Sequence, residues 1–234
     1  MLHIERNCYE KYQYTIAGKK VLIYPSSKPD RPVVYLNTVS EEGGRVYEAL
    51  CELGSPAFTL VAISGLNWNH DMAPWDIPPI SAGDTPCTGG ANDYLRILLE
   101  EIVPKAEEQL QGRVLWRAIS GYSLAGLFAV YSLYQTEIFS RAASISGSLW
   151  FPHFTEYIVS NEIKQKPEHL YFSLGDTERM TRNPYLKVVQ EQTEKIEHFY
   201  RDNGIDTCFR LNPGNHFKDG IKRTAAGIEW LLER

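Results

Sequence analysis

A serine near the middle of the chain has two chemically able partners further along, in a fixed order. Ser123 is followed first by Glu178, with Asp176 close to it, and then by His216. A serine hydroxyl is a weak nucleophile until a base accepts its proton, and histidine can do this near neutral pH. A carboxylate on the second ring nitrogen fixes the tautomer and stabilises the imidazolium ion. These residue types predict nucleophilic attack by Ser123 on a carbonyl group.

The residues around Ser123 predict a tight turn that would expose its hydroxyl. An apolar segment runs into Gly121-Tyr122-Ser123-Leu124-Ala125, and a second apolar segment follows at once. This pattern is typical of a nucleophile elbow, a sharp turn between a strand and a helix. The positions two before and two after the serine must be small in such a turn, and Gly121 and Ala125 both are.

The same turn predicts part of an oxyanion hole. The N–H of Leu124 would open the helix after Ser123, where the helix dipole favours negative charge. Preorganised donors of this kind stabilise the oxyanion of acyl transfer. The second donor is expected from the loop after the strand at 33–36. Val39 is the preferred candidate there, and Thr38 is the next.

The acid and the base each follow a predicted strand. In Gly175-Asp176-Thr177-Glu178, the glutamate lies three residues past the glycine, and we prefer it as the acid. Asp176 remains the alternative, although it could equally be a turn or capping residue. His216 lies in a turn directly after the last strand, which favours the role of base over that of a surface loop residue. The order serine, acid, histidine is the one expected in an α/β-hydrolase.

Several further residues are candidates for substrate binding. Trp68 and Trp150, together with Trp75, follow strand ends and could line a pocket or cover the edge of the core. Arg182 lies close after the acid loop, where it could bind an anionic group or be a solvated charge.

The elements around these residues predict one α/β domain over residues 1–234. Strands alternate with helices along the chain, which predicts a three-layer arrangement with a mainly parallel sheet covered on both faces. A hairpin over 14–24 would add an antiparallel N-terminal edge. Little sequence is inserted between the strand after the elbow and the acid, so we expect little or no lid, and at most the long loop over 64–90 could cap the pocket. The predicted strands are 33–36, 58–63, 114–119, 142–146, 170–174 and 208–211. The predicted helices are 45–53, 93–110, 124–139, 154–163, 184–202 and 221–232.

Composition excludes several classes of function. The net charge of −5 gives no indication of nucleic-acid binding. The 4 cysteines are scattered without a Cys-x-x-Cys pair, and no metal-ligand cluster or phosphate loop is visible, so we expect no cofactor and no metal. No signal peptide or membrane span is visible, which predicts a cytoplasmic protein without membrane contact. The expected partner is a small-molecule ester, and association of identical chains is left open.

Four motifs together resemble one known family. They are Gly121-Tyr122-Ser123-Leu124-Ala125-Gly126-Leu127-Phe128, Ser146-Gly147-Ser148-Leu149-Trp150, Ser173-Leu174-Gly175-Asp176-Thr177-Glu178 and Pro213-Gly214-Asn215-His216-Phe217. Over about residues 14–234 the chain resembles the putative esterase family, which includes esterase D and the enterochelin esterases. The resemblance implies the α/β-hydrolase fold and a carboxylic ester hydrolase. It implies Ser123 as nucleophile, His216 as base and Glu178 as acid.

The chain departs from that family at two places. Ala125 stands where glycine is usual in the elbow, and Leu36-Asn37-Thr38-Val39 stands where many members carry Asp-Gly. The second departure leaves the second oxyanion donor open. An acyltransferase or a peptidase with the same triad is an alternative, because the acceptor is chosen by the shape of the pocket. A catalytically silent binding module is a third reading.

Overall fold

The computed structural model describes residues 11–234. The predicted absence of a signal peptide concerns N-terminal residues that lie outside this range, and Cys8 lies outside it as well. In the described part, the central element is an eight-stranded sheet in the order β1-β2-β4-β3-β7-β8-β9-β10. The strands from β4 through to β10 in that order pair in parallel, whereas β1–β2 and β2–β4 are antiparallel. The bounds of these eight strands are β1 Tyr12–Ile16, β2 Lys19–Tyr24, β3 Arg31–Asn37, β4 Thr59–Ser64, β7 Val114–Tyr122, β8 Arg141–Ile145, β9 His169–Gly175 and β10 Asp206–Asn212.

Helices cover both faces of the sheet. Their bounds are α1 Gly43–Leu53, α2 Trp68–Asp71, α3 Ala91–Ile97, α4 Val103–Glu107, α5 Leu124–Ser132, α6 Phe154–Ser160, α7 Val189–Asp202 and α8 Gly220–Leu232. One buried cluster joins the sheet to α1 and α8, and it includes Leu50 and Ile228. A larger cluster joins the other face to α3–α7, and it includes Phe128 and Ile196. The predicted three-layer, mainly parallel architecture with an antiparallel edge is therefore confirmed.

The central strands are buried because both of their faces are covered. Every residue of β4 and β8 is buried, and in β3 only Arg31 is partly exposed. Such strands read as continuous apolar runs rather than as alternating ones. The edge strand β10 is different, since none of its residues is fully buried.

Several predicted elements differ in detail from the structure. The helix predicted over 124–139 ends at Ser132. After it, hydrogen bonds join residues three apart instead of four, from the Leu133 N–H to the Val130 carbonyl and from the Tyr134 N–H to the Tyr131 carbonyl. The helix predicted over 93–110 contains a π-helical turn, Leu98–Ile102. Pro104 follows this turn and has no N–H to offer the carbonyl four residues earlier.

The remaining differences lie near the carboxyl edge of the sheet. The helix predicted over 184–202 opens with a 3-10 turn, Leu186–Val188, before α7 begins. Just before this turn, the side-chain oxygen of Asn183 accepts the N–H groups of Tyr185 at 2.9 Å and Leu186 at 3.3 Å. The loop over 64–90 contains α2 and a small hairpin formed by β5 Asp76–Ile77 and β6 Cys87–Thr88. Within the described residues, no helix is long and apolar enough to cross a membrane.

Candidate active site

The turn between β7 and α5 holds Ser123 in a strained backbone conformation. Its φ of 60° and ψ of −123° are rare for a residue with a side chain. The turn is closed by a bond of 3.0 Å from the Ser123 N–H to the carbonyl of Ile145 on β8. A Cβ added to Gly121 would stand 2.4 Å from the Cβ of Ala125, so the chain tolerates no side chain at that position. Steric crowding thus explains the small residues on both sides of the serine.

Three side chains form a continuous line of hydrogen bonds from the elbow. The Oγ of Ser123 lies 3.1 Å from Nε2 of His216. The other ring nitrogen, Nδ1, lies 2.8 Å from Oε2 of Glu178. These distances are within the range required for proton transfer and for fixing the tautomer of the ring. The three residues come from the carboxyl ends of β7, β9 and β10, which meet at one edge of the sheet.

Asp176 has a different partner. Its Oδ1 accepts the backbone N–H of Gly214 at 2.8 Å, which ties the loop after β9 to the loop after β10. The side chain of Glu178 is only 4% exposed, whereas Asp176 is exposed. Of the two acids considered, the structure brings Glu178 to His216 and leaves Asp176 in a turn.

The second oxygen of Glu178 is held by three donors. Oε1 accepts the Ser146 hydroxyl at 2.8 Å, the Gly175 N–H at 2.5 Å and Nη1 of Arg223 at 3.3 Å. Burial by itself would raise the pKa of Glu178. The hydrogen bonds from His216, Gly175 and Ser146, together with the charge of His216, outweigh burial and bring this pKa below its ordinary value. The carboxylate is therefore ionised and fixed in orientation.

Arg223 anchors this arrangement from the first turn of α8. Its side chain is 3% exposed. Besides the carboxylate, Nη1 donates to the Ser146 hydroxyl at 3.2 Å, and Nη2 donates to the carbonyl of Pro213 at 3.1 Å. Arg223 thus links the acid to the loop that carries His216. Tyr122 supports the same loop, since its hydroxyl donates to the carbonyl of His216 at 2.5 Å.

The oxyanion donors that the sequence suggests differ in availability. Among residues 11–234, no protein acceptor takes the N–H of Leu124, which starts α5. The N–H of Thr38 donates to the carbonyl of Ile63 at 2.9 Å as a continuation of the sheet. The N–H of Val39 donates to Oε1 of Glu42 at 3.2 Å, and Val39 is 63% exposed. Leu124 is thus the free donor of the three.

Two cavities open beside the serine hydroxyl. One is lined by Ser123, Ser146, Ser148, Trp150, Glu178, Leu186, Val189, His216 and Phe217. The other is lined by Trp68, Asn69, Ile77, Pro78, Ile80, Asp84, Thr85, Cys87, Ser123, Leu124, Ser148 and Trp150. Counted out to their open mouths, they enclose about 480 Å³ and about 640 Å³.

Of the residues that the sequence suggested for substrate binding, some line these cavities and others do not. Trp68 lines one cavity and Trp150 lines both. Trp75 is partly buried against the core, where it packs on Phe151 and donates its indole N–H to the carbonyl of Pro152 at 3.1 Å. Arg182 is exposed and lines neither cavity.

Four polar residues around Ser123, His216 and Glu178 were not among the site residues predicted from the sequence. Ser146 and Ser148 lie in the Ser-x-Ser-x-Trp motif and could have been found there. The Oγ of Ser148 lies 3.4 Å from the Oγ of Ser123. Tyr122 and Arg223 gave no signal, because their roles depend on tertiary contacts. Over the described range, no cluster of three or more His, Cys, Asp or Glu side chains could hold a metal ion.

Comparison with known proteins gives one family and a set of similar folds. A family model described as "Putative esterase" matches residues 41–207. The uncharacterized protein YbbA of Bacillus subtilis (strain 168) is 23% identical over 224 residues, with 89% of this chain and 88% of that protein covered. An IroE-like serine hydrolase from Shewanella oneidensis superposes with a TM-score of 0.76 at 20% identity, covering 96% of this chain and 80% of that one. The siderophore hydrolase EstA from Aspergillus nidulans superposes with a TM-score of 0.72 at 18% identity, covering 95% and 94%.

Proposed function

This chain belongs to the "Putative esterase" family and has the α/β-hydrolase fold, and on that premise we propose that it cleaves carboxylic esters through an acyl-enzyme on Ser123. Family membership makes it a carboxylic ester hydrolase, and the serine chemistry is part of our proposal. The residues and the intermediate are our proposal. We also propose that residues 1–234 form a single catalytic domain. The one eight-stranded sheet, with all three side chains at a single edge, supports this.

The proposed reaction has two halves. In the first, the Ser123 oxygen bonds to the ester carbonyl carbon while Nε2 of His216 takes the hydroxyl proton. The same proton then passes to the alcohol oxygen as the bond between carbon and that oxygen breaks. In the second half, a water molecule gives a proton to His216, attacks the acyl carbon and releases the acid, and the proton returns to Ser123.

The other groups assist without exchanging protons. The Leu124 N–H is placed to bind the carbonyl oxygen as it becomes negative, and loss of one such donor typically costs about 3 to 4 kcal/mol. The Val39 N–H remains our proposed second donor, which requires it to leave Glu42. Glu178 holds the ring of His216 and stabilises its positive charge. The observation that carries the proposal is the unbroken line from Ser123 Oγ through His216 to Glu178, at 3.1 Å and 2.8 Å.

A fluorophosphonate probe tests the proposal directly. We expect stoichiometric labelling of Ser123, located by peptide mass spectrometry, and hydrolysis of short-chain aryl esters. Ser123→Ala should abolish both, whereas Ser160→Ala, at an exposed serine on α6, should change neither. A folded protein that takes no label, or an esterase activity that survives Ser123→Ala, would refute the catalytic assignment.

The same preparation tests the acceptor and the substrate. Product analysis in the presence of added alcohols distinguishes hydrolysis from acyl transfer, because a transferase would form a new ester in preference to the free acid. A peptide panel distinguishes a peptidase. Siderophore esters belong in the substrate panel, since the similar fold from Aspergillus nidulans is that of a siderophore hydrolase.

A further inference from the structure

The two cavities meet at the serine and share one wall. Both are lined by Ser123, Ser148 and Trp150, but only one is lined by His216 and only the other by Leu124. We propose that the cavity beside His216 receives the alcohol part of the ester, and that the cavity beside Leu124 receives the acyl part. We call them the alcohol cavity and the acyl cavity. The proposal rests on the proposed acyl-enzyme mechanism and deepens it.

Proton transfer determines which side the alcohol must occupy. The departing alcohol oxygen takes its proton from Nε2 of His216, so it must lie within hydrogen-bond distance of that nitrogen when the bond to carbon breaks. The carbonyl oxygen must at the same time face the Leu124 N–H. The remaining substituent on the carbonyl carbon then points away from His216. The cavity available in that direction is the one lined by Leu124.

The walls of the alcohol cavity are mostly apolar. Leu186, Val189 and Trp150 contribute aliphatic and aromatic side chains to its lining. Phe217 stands at the mouth with its ring edge-on to His216, at a centroid distance of 5.2 Å, and it is 89% exposed. An exposed aromatic ring beside the base is a contact surface for an apolar or aromatic leaving group. We therefore assign this cavity to alcohols of that class.

The acyl cavity is lined by apolar residues in its inner part and by polar residues in its outer part. Ile77 and Cys87 are buried and apolar, and they form its inner part together with Leu124. Asp84 and Thr85 are exposed at its outer part, and Asp84 forms no ion pair with any described residue. A carboxylate accepts hydrogen bonds and donates none. The matching acyl group is apolar near the carbonyl and carries a hydroxyl or another hydrogen-bond donor further out.

Two matched variants test the two cavities one at a time. Ile80 lines the acyl cavity and Leu186 lines the alcohol cavity, and both are half-buried aliphatic residues near the surface. Ile80→Trp and Leu186→Trp would each fill one cavity with the same bulky ring. Deacylation is the informative step, because the alcohol has already left and only the acyl cavity remains occupied. It is measured as the steady-state rate after the burst with p-nitrophenyl esters.

We expect opposite patterns from the two variants. Ile80→Trp should slow deacylation of the hexanoyl-enzyme by about tenfold relative to the acetyl-enzyme, since a filled pocket discriminates by chain length. It should leave the ranking of acetate esters of different alcohols unchanged. Leu186→Trp should reorder those alcohols and leave deacylation within about twofold of wild type. The reverse pattern, or a change in alcohol ranking from Ile80→Trp, would overturn the assignment.

Replacing Asp84 tests whether the acyl group carries a hydrogen-bond donor. With Asp84→Ala, the preference for a hydroxyhexanoyl ester over the hexanoyl ester should fall by about threefold or more, as expected for one lost hydrogen bond. Asp202→Ala removes an exposed acid at the end of α7 and should leave the preference unchanged. An unchanged preference in Asp84→Ala would overturn the donor-bearing acyl class. Failure of the underlying mechanism looks different, since it would abolish the burst and the fluorophosphonate label in the wild-type protein.

Discussion

Replacing Glu178 by glutamine should disable the base while leaving the fold of the site in place. The glutamine keeps a carbonyl oxygen and the approximate shape of the glutamate. It loses the negative charge that faces Nδ1 of His216 at 2.8 Å. Its amide can also donate to Nδ1, which would place the ring proton on Nε2 and leave that atom unable to accept the proton of Ser123.

The magnitude follows from the contacts that are lost. A wrong tautomer in a serine triad lowers kcat by about ten-thousandfold, which corresponds to about 5 kcal/mol at 1.36 kcal/mol per decade. Glu178 is almost fully buried, so water does not replace the missing charge. In Asp176→Asn, the new side chain keeps an oxygen for the Gly214 N–H and loses only the charge at an exposed position. We expect a loss below about fivefold there.

The assay is kcat for a short-chain aryl ester, measured on both variants with circular dichroism and thermal unfolding as controls for folding. The rate of fluorophosphonate labelling should fall in parallel in Glu178→Gln, because the same nucleophile is affected. A larger loss in Asp176→Asn than in Glu178→Gln would refute the reasoning. So would a loss below tenfold in a properly folded Glu178→Gln.

Three further outcomes are expected. Arg223→Met should lower the free energy of unfolding in urea by about 3 kcal/mol, because it leaves the Glu178 carboxylate buried with one fewer partner, and Arg223→Lys should recover part of that loss. The pKa of Glu178 in the folded protein lies below its ordinary value of 4.5, so its ionised form stabilises the fold above that value. The free energy of unfolding of wild type relative to Glu178→Gln should therefore fall as the pH drops below 4.5, as chemical denaturation can measure. Burial raises the pKa of the Cys87 thiol to about 11, so iodoacetamide at pH near 8 should modify it far more slowly than the exposed Cys51, as measured by peptide mass spectrometry; equal rates would contradict this.

The sequence predicted the parts of the site that depend on where the buried strands end. Continuous apolar runs identified the buried strands, and the carboxyl ends of parallel strands meet at one edge. The sequence alone therefore predicts that Ser123, Glu178 and His216 lie at the same edge of the sheet. The tight turn that crowds Gly121 against Ala125 could also be predicted, because small residues at fixed spacing indicate a local turn.

Features that depend on long-range contacts or on irregular loops could not be predicted from the sequence. Arg223 lies 45 residues after Glu178 on a helix whose pattern otherwise reads as ordinary, and only packing brings it to the carboxylate. The bond from the Val39 N–H to Glu42 forms within a loop that has no periodic pattern. α5 ends at Ser132, where the next N–H groups bond to carbonyls three residues back, although the apolar residues Leu133 and Tyr134 continue the pattern of the helix.

The position of His216 after an edge strand has a consequence for how the protein loses activity. β10 is bonded on one side only, to β9, and its residues are exposed or half-buried, whereas β7 under Ser123 is bonded on both sides. Local opening is cheapest where burial is least. Amide hydrogen exchange should thus be faster along β10 than along β7. On warming, the base and its loop can separate from the serine while most of the sheet remains folded, so inactivation should precede global unfolding.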